Sequence, residues 1–449
     1  MNEKIRVGFC RKDMTPEGSI ALGGYGDDPR RMSVGVLDPI YGTCIAITDW
    51  EDQTVLLFSF DLLHANEEMT RRLRASASKA TGVPEDHIML ASTHTHAGPA
   101  ISYPQLECIQ RFYNFFEVLM TEAAVGAMAD RAPAEIYIGD AYTEGLNFVR
   151  HYRLENGTYA GDNFGRWDSP IADHASPADT QIQLIKFARE AKKDIVVMNW
   201  QAHAKMSSTA SSVFGRAHRK HLSADYVGYA RKHLEEMTGA SVIYFTGGAG
   251  NLNPDSRIKE ETPTIFPDEY GKQLADFAVK GLVGMRRVSG GKVSTRQRMI
   301  TAMIDHSEDH KVAECQEIWD IWTQDTEACQ KLARERGYNS AFTTRDVIAR
   351  SKMGESRTME IDTVAVGDIA FATAPYEMFC DNAKYVKENS PFEKTIVISC
   401  SNGANSYLAS DFAFTHGGYE VDSRKFVRGT AEMIVQNHVQ MLREQKENP

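Results

Sequence analysis

The chain has 449 residues, 42% hydrophobic and 25% charged, the balance of an ordinary soluble globular protein, and its formal net charge of −11 argues against nucleic acid or an anionic membrane surface as the main partner. No stretch approaches the roughly 18 apolar residues of a membrane span, and the opening MNEKIRVGFCRKDMTP lacks the apolar core of a signal peptide. Seven cysteines (Cys10, Cys44, Cys108, Cys315, Cys329, Cys380, Cys400) are odd in number, scattered and without CxxC spacing, which predicts buried thiols in a reducing compartment and hence a cytoplasmic enzyme with no membrane anchor.

Along the chain, strand-length segments rich in β-branched residues recur: TCIAITD, TVLLFSFD, DHIMLAS, EIYIGD, QIQLIKF, DIVVMNWQ, SVIYFTG, IDTVAVGDIAFATA and KTIVISC. Several are continuous apolar runs, as expected of a sheet covered on both faces. Helical patterns lie between them in NEEMTRRLRASASKATG, ADYVGYARKHLEEMTG and DEYGKQLADFAVKGLVGM; the second starts after Ser223 and stops at a glycine, a plausible pair of caps. The alternation predicts an α/β architecture with mixed β-sheets and flanking helices, because some strands follow one another directly. From about 306 to 337 the chain is charged and helical, with Val312, Cys315, Trp319 and Trp322 three and four apart. That stripe predicts the buried face of one long amphipathic helix, with a lid or a subunit contact as the alternative. There are no repeats or long linkers, so residues 1–449 are expected to form one domain with a helical insertion at about 306–337.

Several strands end abruptly in polar or glycine-containing turns: Asp61 after TVLLFSF, His94-Thr95-His96 after HIML, His203 in NWQAHAK, FTGGAGNLNP after SVIYF, Glu377 in PYEMF, and Tyr407 in NSYLAS. In open α/β sheets ligands bind beyond the carboxyl ends of strands, so these turns are expected to meet in one cleft. In a continuing strand His94 and His96 would point to the same face. Each feature has a plainer meaning: Asp61 as a helix cap, GGAGN as a tight turn, His203 as a satisfied histidine, Tyr407 as packing. GGAGN lacks the Lys-Ser/Thr pair of a P-loop, and neither G-x-S-x-G nor HExxH occurs. The residues alone indicate a His/Glu cleft suited to a metal.

THTHAGP, NWQAHAK, FTGGAGNLNP, PYEMF and NSYLASDFAFTHGGYE, with DMTP and LGGYG near the start, together resemble in order and spacing the neutral (non-lysosomal) ceramidase family. Its counterparts are a THTHSGP run, an NW-x-x-x-H segment, an S-N-A-G-N turn, a P-G-E segment and a tyrosine-rich C-terminal stretch, and the likeness spans about residues 5 to 440. The resemblance implies a ceramidase-like catalytic domain holding Zn²⁺ through His94, His203, Glu377 and Tyr407. It also implies a catalytic group of His96, Arg150 and Tyr419 that holds substrate and stabilises an oxyanion. Imidazole and carboxylate oxygen suit zinc, and a nearby dication would favour loss of the tyrosine proton.

Two departures narrow what the resemblance implies. Gly247 stands where the family has a serine, so a serine acyl-enzyme at that position is excluded. No counterpart of the family's C-terminal immunoglobulin-like domain or export signal is expected, which favours a small polar substrate over ceramide. The expectation is a zinc-dependent amidohydrolase that cleaves a small N-acyl compound by attack of zinc-bound water. The alternatives are an ester or lactone hydrolase, an isomerase acting on a polar sugar-like substrate, ceramidase proper, or a metal-free binding protein on the same scaffold.

Overall fold

The computed structural model describes residues 4–25, 30–163, 165–258 and 266–448; Gly26, the last residue of LGGYG, lies outside them. Two mixed sheets form the centre. The larger contains β1 (Ile5–Asp13), β2 (Tyr41–Thr48), β3 (Thr54–Phe60), β4 (Ile88–Ser92), β5 (Ala132–Tyr142), β6 (Gln181–Arg189), β7 (Ile195–Trp200) and β8 (Ser241–Thr246). Its order is β8-β7-β6-β5-β1-β2-β3-β4, and the short strand Arg286–Val288 pairs beside β5 as the ninth member. β3 with β4 and β7 with β8 run parallel; the other neighbours along that order are antiparallel. The smaller sheet is β9 (Val293–Met303), β10 (Ser356–Val366), β11 (Ile369–Thr373) and β12 (Lys394–Ile398), in that order, with only the last pair parallel.

The sheets share an apolar core. Ile45, Leu57, Ile136, Phe187, Val197 and Phe245 of the larger pack with Val364, Phe371 and Ile396 of the smaller. The outer faces carry helices: Glu67–Thr81 and Glu107–Ala129 over β1 to β4, Asp225–Thr238 and Pro267–Val283 over β6 to β8, and Thr430–Glu447 over the smaller sheet. Burial on both faces explains the continuous apolar runs in β3, β7 and β8. The expected mixed α/β architecture is therefore the observed one.

Local expectations fare unevenly. Helix Asp225–Thr238 begins two residues after Ser223, whose hydroxyl accepts from the Asp225 amide at 2.8 Å, and ends on Gly239 in the left-handed conformation. Asp61 does not cap helix Glu67–Thr81; Asn66 does, accepting from Met69 N at 2.9 Å. Asp61 instead forms a fully buried ion pair with Arg231 and accepts from Tyr41 N. The single long helix expected at about 306–337 is also corrected. Val312–Trp319 and Thr326–Glu335 are separate helices, because Asp325 caps a fresh start with its carboxylate on Glu327 N and Ala328 N. Together with Ala341–Ser351 they enclose a small core of Cys315, Ile318, Cys329, Ala333 and Val347, so the stripe does mark packing. Trp319 and Trp322 stack at 5.1 Å beside Phe342.

Candidate metal centre and cavity

The strand ends do converge. β4 stops at Ser92, and the chain leaves it sharply: Thr93 N donates to Phe60 O at 2.8 Å and His94 N to Leu62 O at 3.0 Å. His94 consequently sits at φ 63°, in the left-handed region that non-glycine residues seldom occupy. The two histidines are thus not successive members of one strand face, yet their rings lie 5.1 Å apart, nearly perpendicular. Cys400, Asn402 and Ser406 also have φ between 53° and 70°. Bonds from Cys400 N to Tyr376 O, Asn402 N to Leu90 O and Glu377 N to Ser406 O hold these turns across both sheets. Such conformations persist where the surroundings over-determine them, typically at functional sites.

His94 and His203 present matching geometry. His94 Nδ1 donates to Leu63 O at 2.8 Å and His203 Nδ1 to Leu252 O at 3.0 Å. A carbonyl can only accept, so each Nδ1 carries the proton and each Nε2 of a neutral ring presents a lone pair. Both Nε2 atoms meet the same carboxylate oxygen, Glu377 Oε2, at 3.2 and 3.1 Å. Two lone pairs and an anion aimed at one another repel unless a proton or a metal ion stands among them. Burial works against a second proton on His203, and with Arg150 nearby its pKa falls to about 4. Burial opposes charge on His94 too, but the Cys400 sulfur and Glu377 overcome it and raise that pKa. Burial raises the Glu377 carboxyl, and the two imidazoles more than reverse it, holding it well below the ordinary range. The donor set fits a small dication such as Zn²⁺.

His96 stands beside this pair. Its ring nitrogens have no hydrogen-bond partner among the described residues, and its ligand atoms group with those of His94 and His203 within 4.8 Å of one another. Gly24, at φ 118°, passes so close to it that a Cβ there would fall 2.6 Å from the His96 backbone. Tyr407 lies buried with its ring 6.5 Å from that of His203 and 5.6 Å from Tyr419. Burial and Glu377 raise the Tyr407 phenol, while Arg150, 5.5 Å over its ring, pulls the other way. Arg150 does not border the open cavity. It ion-pairs with Glu420, donates to Gly250 O at 3.0 Å and reaches Asn253 Oδ1 at 3.3 Å.

The GGAGN turn is the frame of this arrangement. Gly250 N donates to Met378 O, Arg150 N to Asn251 O, His203 N to Leu252 O, and Asn251 Oδ1 accepts from Cys380 N. A Cβ on Gly250 would run into the Glu377 backbone carbonyl, so that position of the turn is built for glycine. Glu420 escaped the sequence reading although GGYE ends on it. It accepts from His151 Nε2 at 3.1 Å, and His151 Nδ1 shares a 2.8 Å hydrogen bond with His416. Burial would raise the Glu420 carboxyl, but Arg150 and His151 draw it down to about 2. A lone glutamate beside tyrosine gives no sequence signal; its arginine partner lies 270 positions away.

His94, His96, Glu377, Tyr407 and Tyr419 border one cavity of about 450 Å³, within the range of small-molecule sites. All seven cysteines are free thiols, and no helix among the described residues is long and apolar enough to cross a membrane.

The architecture and this strand-end cavity define a class of mixed α/β fold that solved structures already represent. No protein-family model and no curated protein matches the sequence. Among solved structures, the neutral ceramidase from Pseudomonas aeruginosa is similar to it with a TM-score of 0.74 at 17% identity, over 100% of this chain and 75% of the other. A ceramidase complexed with C2 is similar with a TM-score of 0.73 at 16% identity, over 99% and 76%. The chain has a neutral-ceramidase-like fold.

Proposed function

We propose that this protein is a zinc-dependent hydrolase that cleaves the amide bond of a small N-acyl compound. The observation that carries the reading is the convergence of His94 Nε2 and His203 Nε2 on one oxygen of Glu377, each ring turned by a backbone carbonyl. His94, His203, Glu377 and Tyr407 would hold the ion. Bound there, zinc supplies Lewis acidity and lowers the pKa of water towards ~7. The chain's own groups do the rest. The carbonyl enters the cavity where His96 and Tyr419 offer hydrogen bonds to the oxygen as it gains charge. A neutral His96 ring has one N–H and one lone pair, so it is also the best-placed group to carry a proton to the departing amine. Arg150 contributes positive potential from beyond Tyr407 and favours the ionised form of that phenol.

The ceramidase names of the two similar structures support amide chemistry. The polar cavity favours a smaller substrate than ceramide. We read the chain as one catalytic domain, since residues of both sheets share a core, and the free thiols support a cytoplasmic setting. A second reading, in which His96 is a third imidazole ligand, is favoured by the grouping of the three rings. Elemental analysis with a panel of N-acyl compounds tests the proposal. About one zinc per chain and release of free amine are expected, with most zinc lost in His203→Ala. Full zinc occupancy in that variant would remove His203 from the site; ester or lactone turnover without amide turnover would replace the reaction.

A further inference from the structure

The cavity wall opposite in character to the histidine cluster is cationic. Arg345, Arg350, Arg357, Arg424 and Lys425 all border it. The four arginines are already matched: Arg345 with Asp346 at 2.7 Å, Arg350 with Glu308 at 2.6 Å, Arg424 with Asp305 at 2.5 Å, and Arg357 with Glu67. Lys425 differs. Its backbone carbonyl accepts from Asp305 N, but its half-buried ammonium makes no hydrogen bond and no close ion pair among the described residues. Holding a cation partly out of water without a partner is unfavourable, and an anion arriving through the cavity would offset that cost.

Resting on the amide-hydrolase reading, we propose that the substrate carries an anionic group away from the scissile amide and that Lys425 selects it. The position suits that role. Arg345 and Asp346 act electrostatically on both Tyr419 and Lys425, so the lysine belongs to the neighbourhood of the group assigned to the carbonyl oxygen. Burial, with Arg357 close by, lowers the Lys425 pKa, and the carboxylates of Glu67 and Asp346, each already paired with an arginine, offset this only in part. A long neutral acyl chain finds little to match here: Leu63, Met353 and the tyrosine rings are the large apolar groups, set among charged, polar and small residues. Charge pairing at this wall would act mainly on ground-state binding and so on KM.

Two matched pairs of amides locate the anion. N-acetyltaurine against N-acetylethanolamine places it on the amine side, using a sulfonate that ligates metals poorly. N-propylsuccinamate against N-propylbutanamide places it on the acyl side. In the wild-type holoenzyme the anionic member of one pair should show at least a tenfold lower KM, and that pair identifies the side. Lys425→Met should abolish the difference while leaving the neutral member unchanged, and Lys425→Arg should keep it. Equal KM within both pairs, or an equal loss for both members in Lys425→Met, overturns the proposal. If no amide is cleaved, the hydrolase reading fails separately. Calorimetric binding of the same pairs then decides the anion site: a preference lost in Lys425→Met sustains it, and equal or absent binding of both members overturns it.

Discussion

His94 and His96 stand two positions apart and yet are held in different ways. His94 is fixed at both ends, by a left-handed backbone and by Nδ1 on Leu63 O, leaving Nε2 for the Glu377 oxygen. His96 is hydrogen-bonded, among the described residues, through its backbone alone: its amide donates to Ala204 O, and its carbonyl accepts from Arg31 at 2.9 Å and Ser208 at 3.1 Å. An imidazole so placed, with neither nitrogen committed, suits contact with a substrate. His96→Ala and Tyr419→Phe are therefore expected to lower kcat by roughly 10²–10³ each, or about 2.7–4 kcal/mol, while zinc stays bound. Zinc content, melting temperature and kcat on the same preparations separate three cases. Loss of zinc in His96→Ala makes it a ligand, a lower melting temperature with proportionate loss of activity makes it structural, and unchanged turnover removes both residues from the mechanism. At this scale the sequence singled out the two histidines and concealed their orientation. The alternation rule fails for THTH because Ser92 ends the strand, and that depends on Phe60 and Leu62, some 30 positions earlier.

Among the elements, the apolar strands were legible because burial on both faces leaves a continuous hydrophobic run, as in β3, β7 and β8. β9 was not: VSTRQRMITAM leaves much of its length to solvent and carries Arg296 and Arg298, whose guanidinium groups reach helix Thr430–Glu447 instead of a core. The break between Trp319 and Thr326 was also hidden, since an apolar stripe keeps its helical spacing whether or not an aspartate restarts the helix. One element carries an acid-sensitive group. On Thr430–Glu447, His438 is fully buried and donates through Nε2 to Thr373 O at 2.9 Å; burial pulls its pKa from 6.5 down to about 4. The unfolded chain therefore takes up this proton first as pH falls. The stabilisation is complete above about pH 6.5 and is lost progressively as pH falls towards 4, the loss reaching about 3 kcal/mol there. Denaturant unfolding from pH 7 to 4 should show this slope in the wild type and a shallower one in His438→Gln. Identical slopes would assign the acid sensitivity elsewhere.

Across the whole molecule, the candidate metal centre lies where the two sheets meet, and this links chemistry to stability. His94 and His203 follow β4 and β7 of the larger sheet, whereas Glu377 and Tyr407 follow β11 and β12 of the smaller, joined to each other through the short ladder Glu377–Met378 with Tyr407–Leu408. The same turns are tied across the sheets by Ser92 N on Cys400 O and Asn402 N on Leu90 O. The sequence made the convergence visible only as recurring polar turns after apolar strands; which turns face one another is a property of strand order, which no local pattern encodes. An ion held by ligands from both sheets binds the folded chain and not the unfolded one, so it adds about 4 kcal/mol of stability at a free concentration a thousand times its Kd. Stripping metal with a chelator should thus lower the melting temperature by several degrees, and added zinc should restore it. In His203→Ala the chelator should have almost no further effect, because the ion is already gone. A protein that demonstrably loses its zinc yet melts at the same temperature would place the ion outside this sheet junction, and His94, His203, Glu377 and Tyr407 would then need another explanation for their convergence.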